Sequence, residues 1–566
     1  MKTSEDRELA VSDLKALERS VATNLLNASW MPVRLRDGSQ EWVSPARLAR
    51  PDIVAFAANR ADFNGALAQF AIGLFQTASP VDGPSRWRSW FNEPPSAETL
   101  SQWLAPFAAA FDFDGGGQRF MQDASMGVDE GVVCDIGGLL IEAPGENTAK
   151  DNKDLFVKRG GIRQLCRCCA ATALLTLQIN APSGGAGHRT GLRGGGPLTT
   201  LLLAAEGSSL WQSLWLNVME RDRFAGDASW TGAASPLVFP WLTSTPATQR
   251  EDGKTTPAQV DPAHVFWAMP RRIWLNVDAR RSGDCHVCGR HSEALVSSYR
   301  TRNYGLNYKD GWSHPLSPYY ALEEEWLPVH PQPGGLGHRH WLAWVLGQTS
   351  ARKKQRRARV VEHFLTARLR SAPGSLRLWA FGYDMDNAKA RCWYEATLPL
   401  YGLANCDAKA QRQIEAEVGR WLDATETVAG MLRGAVKEAW FKEAPKKADF
   451  SAVDAAFWSA TTTAFYRQLG PLIEGAARAA EFDAATVNPA WLRHLEQRAL
   501  YLFDHQFVGA GPVAQQNPRR IAQAHRQLLA NLRGPKLREA LGLPVDAGAL
   551  ARKATRCKKD TKGGKP

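Results

Sequence analysis

The sequence lacks long hydrophobic runs. Across its 566 residues no apolar stretch approaches the ~20 residues that a transmembrane helix needs, and the mean hydropathy is −0.32. Residues 1–7 are polar, and no apolar segment of the kind found in secretory signals follows them. These absences argue against an integral membrane protein and predict a cytoplasmic protein with no membrane partner.

Catalytic motifs are lacking as well. The sequence has no H-E-x-x-H zinc motif, no G-x-S-x-G nucleophile elbow and no paired-carboxylate motif suited to two magnesium ions. His338 and His340 could offer a ligand pair, but they are as readily part of a surface turn. No residue therefore stands out as a nucleophile or a general base.

What is present is the composition of a folded protein with locally concentrated charge. Hydrophobic residues make up 44% and charged residues 22% of the chain, which excludes wholesale disorder. Lys and Arg number 69 against 57 Asp and Glu, a net charge of +12. Much of this excess lies in two basic segments, 351–360 and 551–566, and each could contact a polyanion. The alternatives are a solvated helix face for 351–360, which we weigh evenly, and a disordered tail, which we favour for 551–566.

Hydrophobic periodicity divides the chain near residue 405. Before it, short β-rich runs, short helices and Gly/Pro-rich loops alternate. After it come four amphipathic blocks: about 407–440, about 450–471, one opening at Asn488-Pro489, and about 517–542. Four such blocks with modest connections predict a four-helix bundle. The fold class is therefore α+β, with a mixed domain over 1–404, an all-α bundle over 405–545 and a basic tail over 546–566.

Four of the nine cysteines form two C-x-x-C pairs: Cys166 with Cys169, and Cys285 with Cys288. Each pair can present two thiolates to one tetrahedral zinc ion, but the interval between the pairs far exceeds the ~15–20 residues of a compact zinc ribbon. The alternative is that the first pair fills a small-residue core. Three further residues could substitute as ligands: Cys168, His286 and His291. The paired spacing favours zinc, and four thiolates would make the site structural.

A glycine-rich stretch occupies 180–197, with seven glycines and the basic residues His188, Arg189 and Arg193. Such a loop lets a ligand approach the backbone closely, and arginines suit phosphate. It matches neither a Walker loop nor a dinucleotide-binding fingerprint. Contact with a polyanion is a better interpretation than a purely structural loop.

Several motifs together resemble the CasA family, the large subunit of the type I-E CRISPR Cascade complex. The resemblance covers nearly the whole chain in order and rests on these segments: Asn24-Leu25-Leu26, Trp30-Met31-Pro32-Val33, Phe120-Met121-Gln122, Asn152-Lys153-Asp154, Gly191-Leu192-Arg193-Gly194-Gly195, Trp312-Ser313-His314-Pro315 and Gly382-Tyr383-Asp384-Met385-Asp386-Asn387. It implies a non-catalytic subunit that recognises a protospacer-adjacent motif in double-stranded DNA and promotes duplex opening. It also implies three further partners: a guide RNA, the other Cascade subunits and a recruited helicase-nuclease.

The resemblance also implies site residues. The family's glycine loop falls on Ser183, Gly184, Gly185, Ala186 and Gly187, with Arg189 beside it, and its lysine finger falls on Arg302 or Asn303. Its glutamine wedge falls on Asn387 and Ala388, where Asn is one methylene shorter. Its zinc ligands coincide with Cys166, Cys169, Cys285 and Cys288, which implies a structural Zn²⁺.

Two rival interpretations remain at this stage. The first is a metal-dependent nucleic-acid-processing enzyme that uses the Cys/His cluster with an open coordination position. The second is a scaffold protein whose helices only dock partners. Metal content and turnover assays separate the first from a binding subunit, because a binding subunit should hold one zinc ion tightly and turn over nothing.

Overall fold

A computed structural model gives the fold of most of the chain. It describes these residues: 23–126, 130–152, 154, 159–185, 187–226, 232–246, 253–277, 281–349, 354–368, 375–386, 389–401, 403, 406–443, 448–509 and 517–545. The chain forms two units: Met1–Pro331 with Arg357–Glu395, and Gln332–Arg356 with Ala396–Pro566. The domain boundaries at 404/405 and 545/546 stay a prediction.

The first unit mixes helices and strands. Its described helices are α1 (Ala61–Ala78), α2 (Pro84–Asn92), α3 (Ala97–Leu104), α4 (Glu146–Lys150), α5 (Arg167–Asn180), α6 (Leu210–Trp215), α7 (Arg221–Ala225) and α8 (Arg359–His363). Its strands are β1 (Met31–Leu35), β2 (Gln40–Val43), β3 (Ile53–Phe56), β4 (Val132–Asp135), β5 (Leu165–Cys166), β6 (Thr199–Leu203), β7 (Arg272–Leu275), β8 (Gly283–Asp284), β9 (His291–Ser292), β10 (Leu295–Val296), β11 (Ser298–Arg302), β12 (Tyr319–Leu322), β13 (Glu325–Pro328) and β16 (Leu376–Asp386). A further strand, β17 (Lys389–Tyr401), runs from this unit into the second one.

The strands form small antiparallel sheets rather than one large sheet. The alternating segment at the start of the chain makes the expected pair β1–β2, and β3 joins β1 from the other side. Strand β11 pairs with β4 and β7, and the register sets Arg302 opposite Arg272. Strand β16 lies between β17 and β6. Pairing of distant segments thus brings residues near 130, 200, 300 and 380 into the same unit.

Aromatic rings fill the core of the first unit. Helix α1 is apolar on nearly all sides and is almost entirely buried. Its Phe70 makes edge-to-face contacts, at centroid distances of 5.2–5.9 Å, with Trp30, Phe111, Phe120 and Trp267. Each such pair contributes about 0.5–1.5 kcal/mol beyond the burial of its area. This cluster fixes α1, against which α5 packs.

The second unit is mainly helical, which confirms a mixed α/β fold with a C-terminal helical region. Its helices are α9 (Ala408–Trp440), α10 (Ser451–Ala477), α11 (Ala484–Leu502), α12 (Pro518–Leu532) and α13 (Pro535–Ala540), and its short strands are β14 (Gln348–Thr349) and β15 (Lys354–Arg356). Helix α9 contacts α10, α11 and α12. No described helix combines the length and the apolar character that a membrane-spanning segment requires.

One helix start differs from the prediction. Helix α11 begins at Ala484 with the carboxylate of Asp483 as its cap, so Asn488 and Pro489 lie inside the helix rather than at its start. Asn488 is buried and accepts a 2.9 Å hydrogen bond from the indole of Trp421. An Asn-Pro pair is a strong local start signal, but here the buried hydrogen bond uses the Asn side chain and outweighs that signal.

Candidate functional site

Helix α5 connects the two features that the sequence singled out. Cys166 is its N-cap, where the thiol accepts a 3.4 Å hydrogen bond from the amide of Cys169, and Asn180 is its last residue. The helix has 14 residues and therefore spans about 21 Å. The cysteine cluster lies at its N-terminal end and the glycine-rich loop leaves from its C-terminal end.

At the N-terminal end the four predicted cysteines converge. The sulfurs of Cys166, Cys169, Cys285 and Cys288 all lie within 4.8 Å of one another. The Sγ atoms of Cys166 and Cys288 are 3.7 Å apart, which is too long for a disulfide. It matches the sulfur–sulfur edge of about 3.8 Å expected for a tetrahedron with Zn–S bonds of about 2.3 Å. The cluster could therefore hold a metal ion.

A hairpin delivers the second pair of cysteines. Strands β8 and β9 pair, and the turn between them bonds the amide of Gly289 to the carbonyl of Cys285 at 2.9 Å. Gly289 adopts a φ of 72°, which favours glycine. The hairpin is tied to the segment before α5, because the amide of His286 donates to the carbonyl of Gln164 at 3.1 Å. Local turn geometry and a long-range tie together place both thiols.

The two histidines predicted as alternative ligands have other partners. His286 accepts a hydrogen bond from the amide of Arg163 through Nδ1 at 3.2 Å. His291 pairs with the carboxylates of Asp284 and Glu293. The sulfurs that converge are those of the two pairs, and Cys168, whose pKa is lowered by a hydrogen bond to Cys166, is not among them. Hydrogen bonding to Cys166 raises the pKa of the Cys169 thiol and lowers the pKa of the Cys285 thiol, and a bound cation would favour the thiolate form of both.

At the C-terminal end, backbone hydrogen bonds close the neck of the glycine-rich loop. The amide of Gly191 donates to the carbonyl of Ala181 at 3.0 Å, and the amide of Gly196 donates to that of Asn180 at 3.2 Å. A Cβ on Gly191 would lie 2.6 Å from the carbonyl oxygen of Ile179, so the neck requires glycine there. Residues 182–190 project from this neck.

The loop meets the predicted finger segment directly. The amide of Tyr304 donates to the carbonyl of Gly187 at 2.8 Å. A Cβ on Gly187 would lie 2.7 Å from the Cβ of Asn303, and the φ of Gly187 is 76°. The guanidinium of Arg189 lies over the Tyr304 ring, 5.7 Å from its centroid. The structure thus brings together Gly187, Arg189 and Asn303, although the loop and the finger segment are more than a hundred residues apart in sequence.

The other predicted loop and finger residues have distinct surroundings. Ser183, Gly184 and Gly185 are exposed, and Ala186 lies outside the described residues. Arg302, at the end of β11, forms an ion pair with Glu130. Glu130 and Tyr304 were not among the predicted site residues. Neither carries a local motif, and each acquires its role only through pairing of distant strands.

Arg193 was grouped with the candidate phosphate contacts, and that prediction is wrong. Its side chain is buried, and its guanidinium donates to the hydroxyls of Thr199 at 3.0 Å and Ser317 at 2.8 Å and to the amide oxygen of Gln69. Burial lowers the pKa of Arg193 to about 10. The residue holds the end of the loop to β6 and α1 and is not available to a nucleic acid.

Part of the basic run 352–359 is also engaged internally. Arg357 forms an ion pair with Glu362. The guanidinium of Arg359 donates to the carbonyls of Arg223 and Phe224 at 2.9 Å each. Lys354 and Arg356 are exposed on β15. Residues 352 and 353 lie outside the described residues, so the described part of the run presents two exposed basic side chains.

The predicted wedge residues, Asn387 and Ala388, lie outside the described residues. They connect β16 to β17 in the sequence. The strand before them is firmly held, since Tyr383 donates its hydroxyl to Asp62 at 2.6 Å and Asp384 pairs with Arg391 at 2.6 Å.

Fold and site together define a class of protein: a two-unit α/β and helical chain in which a tetra-cysteine cluster and a glycine-rich loop occupy the two ends of one helix. The chain belongs to the family of CRISPR-associated protein Cse1, whose model matches residues 24–502. The prediction of the CasA family is thereby confirmed.

Solved structures share this fold. CasA from Thermus thermophilus is similar with a TM-score of 0.64 at 15% identity, covering 90% of this chain and 99% of that chain. Cse1 from Thermobifida fusca is similar with a TM-score of 0.63 at 16% identity, covering 93% and 99%. A chain of a CRISPR RNA-guided surveillance complex gives 0.62 at 17% identity, covering 90% and 99%. Identities this low establish the fold alone.

Proposed function

We propose that this chain is the DNA-reading subunit of an RNA-guided CRISPR surveillance complex. In this role it recognises a protospacer-adjacent motif in double-stranded DNA and promotes duplex opening and R-loop formation. Its partners are the guide RNA, the other Cascade subunits, the target DNA and a recruited helicase-nuclease, all in the cytoplasm. Family membership and the similarity to a chain of a CRISPR RNA-guided surveillance complex support this assembly.

The contact between Gly187 and the segment Asn303-Tyr304 carries the proposal. It sets an exposed, glycine-rich backbone beside a side-chain amide and a stacked arginine. The minor groove presents a degenerate pattern that distinguishes mainly A·T from G·C. Backbone amides and one amide side chain suit such a coarse reading, because they approach closely without demanding a unique base. Arg302, held by Glu130, adds a forked donor at the edge of the same surface.

Duplex opening is assigned to the connection between β16 and β17, with Asn387 as the wedge. Unstacking a base step costs a few kcal/mol, so the strands that carry the wedge must be firmly held. The ion pair of Asp384 with Arg391 and the hydrogen bond from Tyr383 to Asp62 hold these strands in place.

The metal at the cysteine cluster is proposed to be a structural Zn²⁺. Four thiolates within 4.8 Å of one another would fill the coordination shell of a zinc ion and leave no position for a substrate or a reactive water. The ion would join α5 to the β8–β9 hairpin. This closed ligand set favours a non-catalytic subunit over the alternative of a metal-dependent nucleic-acid-processing enzyme.

A gel-shift assay of the reconstituted guide-bound complex against a library of duplexes with every three-base motif tests the main proposal. We expect a subset of motifs to bind at least about tenfold more tightly than the rest. Uniform binding across the library would overturn motif reading. Nuclease and deaminase assays on the purified chain, together with its metal content, test the enzyme alternative, for which turnover that disappears on chelation is the signature.

The wedge is tested separately with Asn387→Ala and a fluorescent base next to the motif. We expect duplex affinity within about twofold of wild type and slower strand opening. Opening at the wild-type rate would remove Asn387 from this role.

A further inference from the structure

The first limb of the glycine-rich loop is held by a residue that no sequence motif marks. Gln178, fully buried on α5, bonds to both sides of the Arg271 backbone. Its amide nitrogen donates to the Arg271 carbonyl at 2.9 Å, and its amide oxygen accepts from the Arg271 amide at 3.0 Å. The Arg271 backbone is thereby fixed to the last turn of the helix from which the loop departs.

From this fixed position the Arg271 side chain reaches the loop. Its guanidinium donates to the carbonyl of Pro182, the second residue after α5. Proline has no N–H of its own to anchor the backbone. The chain that follows the predicted finger residues Arg302 and Asn303 passes close to the residue before Arg271, since a Cβ on Gly305 would lie 2.1 Å from the carbonyl oxygen of Pro270. Arg271 therefore lies where α5, the loop and the finger segment converge.

The charge of Arg271 is uncompensated within its surroundings. Among the described residues it forms no ion pair, and its buried Nε has no hydrogen-bond partner. Burial lowers the pKa of Arg271 to about 10, so it is protonated at neutral pH. Its field is felt in the loop, because partial burial and the charge of Arg271 together lower the pKa of His188. A mostly buried cation without a counter-ion costs stability, and such exceptions concentrate at functional sites.

We propose that Arg271 is a positioning residue for motif reading: its bond to Pro182 holds the loop against Asn303 and thereby sets the motif preference. This inference rests on the proposed function. Because the Arg271 Nε is buried, the residue acts through the loop rather than by contacting phosphate. A phosphate contact would lower affinity at every sequence and reduce the salt dependence of binding. A positioning residue should instead change the ratio of affinities for matched and scrambled motifs.

The experiment compares wild type, Arg271→Met, Arg271→Lys and Arg36→Met in the reconstituted guide-bound complex. Arg36 is the matched control, because it also donates to backbone carbonyls, those of Gly207 and Pro51, but lies outside the loop. Affinities for duplexes with the preferred and a scrambled motif are measured over a salt series. For Arg271→Met we expect an about tenfold loss of discrimination, the size of one charge-assisted hydrogen bond, with an unchanged salt slope. Arg271→Lys should keep most of the wild-type discrimination, since the lysine ammonium can donate to the carbonyl of Pro182.

Hydrogen–deuterium exchange of the isolated chain provides a readout that does not depend on DNA. Amides of residues 183–190 should exchange at least about fivefold faster in Arg271→Met than in wild type or Arg36→Met, because loss of a hydrogen bond of about 1 kcal/mol or more raises the open population by that factor.

Unchanged exchange together with unchanged discrimination would overturn the role of Arg271. An equal loss of affinity for both motifs, with a lower salt slope, would also overturn it. If the wild-type complex does not discriminate motifs, the proposed function fails. In that case, faster loop exchange in Arg271→Met would show only that the bond to Pro182 holds the loop, and the role of Arg271 in motif reading would be rejected. Should Arg271→Met fail to fold, Arg271→Gln, which keeps a polar side chain but is shorter and uncharged, decides by the same two measurements, with the losses expected of Arg271→Met.

Discussion

The two ends of helix α5 are held in different ways. At the N-terminal end, four thiols from two distant segments converge on one point, at a spacing that suits a metal ion. At the C-terminal end, the loop is held by single hydrogen bonds to Gly187, Pro182 and the neck residues. A metal-bound end resists displacement because several strong bonds must break together, whereas a loop with separate weak bonds can adjust to a ligand. The contrast suggests a fixed end that supports an adaptable one.

Removing the cluster is the strongest way to test the fixed end. Cys285→Ser should abolish stoichiometric zinc and lower the free energy of unfolding by about 4 kcal/mol, because loss of a structural metal is among the most costly single changes. Elemental analysis and chemical denaturation measure both effects. Cys406→Ser is the control, since Cys406 is buried in the other unit and lies outside the cluster. Full zinc content in Cys285→Ser would contradict the four-thiolate site.

Crowding at the adaptable end should cost less. Gly187→Ala should lower the free energy of unfolding by about 2–3 kcal/mol, because the new Cβ meets Asn303 and φ is positive. Gly185→Ala is matched, with a φ of 98° but nothing within 4 Å of its Cβ, and should cost about 1 kcal/mol. Thermal denaturation measures the stability of both variants, and binding to the preferred motif measures their affinity. Equal effects would mean that backbone conformation, and not the contact with Asn303, dominates.

Arg193 tests whether the neck is part of the reading surface. Arg193→Met should destabilise the chain by about 2 kcal/mol, because the buried acceptors at Gln69, Thr199 and Ser317 lose a charged donor. The salt dependence of DNA binding by the assembled complex should not change. Arg50→Met, which removes an arginine from surface ion pairs, is the stability control and should cost less than about 1 kcal/mol. A lower salt slope in Arg193→Met would return this residue to the phosphate contacts.

The smallest effect is expected at the ion pair of Arg302 with Glu130. The two side chains are 34% and 52% exposed, so a double-mutant cycle of Arg302→Gln and Glu130→Gln should give a coupling below about 1 kcal/mol that weakens with salt. Denaturation of the four chains at low and high ionic strength measures it. A coupling above about 2 kcal/mol would exceed what a surface pair provides, and it would place Arg302 among the firmly held groups and out of reach of DNA.

Local patterns predicted much of this molecule. The alternation at Met31–Leu35, the C-x-x-C spacing and the helical periodicity after residue 405 each depend on neighbours in sequence, and the structure contains the corresponding elements. Asn488 marks the limit of such reasoning, because a buried contact with Trp421 overrides its local capping signal.

Partners and burial were less predictable. The sequence shows that Arg193 and Arg271 are charged but not that one is enclosed by hydroxyls and the other lies under the loop. The contact of Gly187 with Asn303 depends on β11 pairing with β4 and β7, which no local pattern specifies. The motif resemblance indicated Gly187 and Asn303 as site residues without indicating that they touch.

The neck closed by Gly191 and Gly196 separates the loop structurally from α5 and β6. Because the chain leaves and returns across two backbone hydrogen bonds, residues 183–190 can change in length or composition without moving α5 or β6. The entropic cost of a longer loop rises only slowly with length. Under the proposed function, exchanging this segment between family members is a route to altered motif preference, provided that the neck, the bond from Arg271 to Pro182 and the glycine at position 187 are kept.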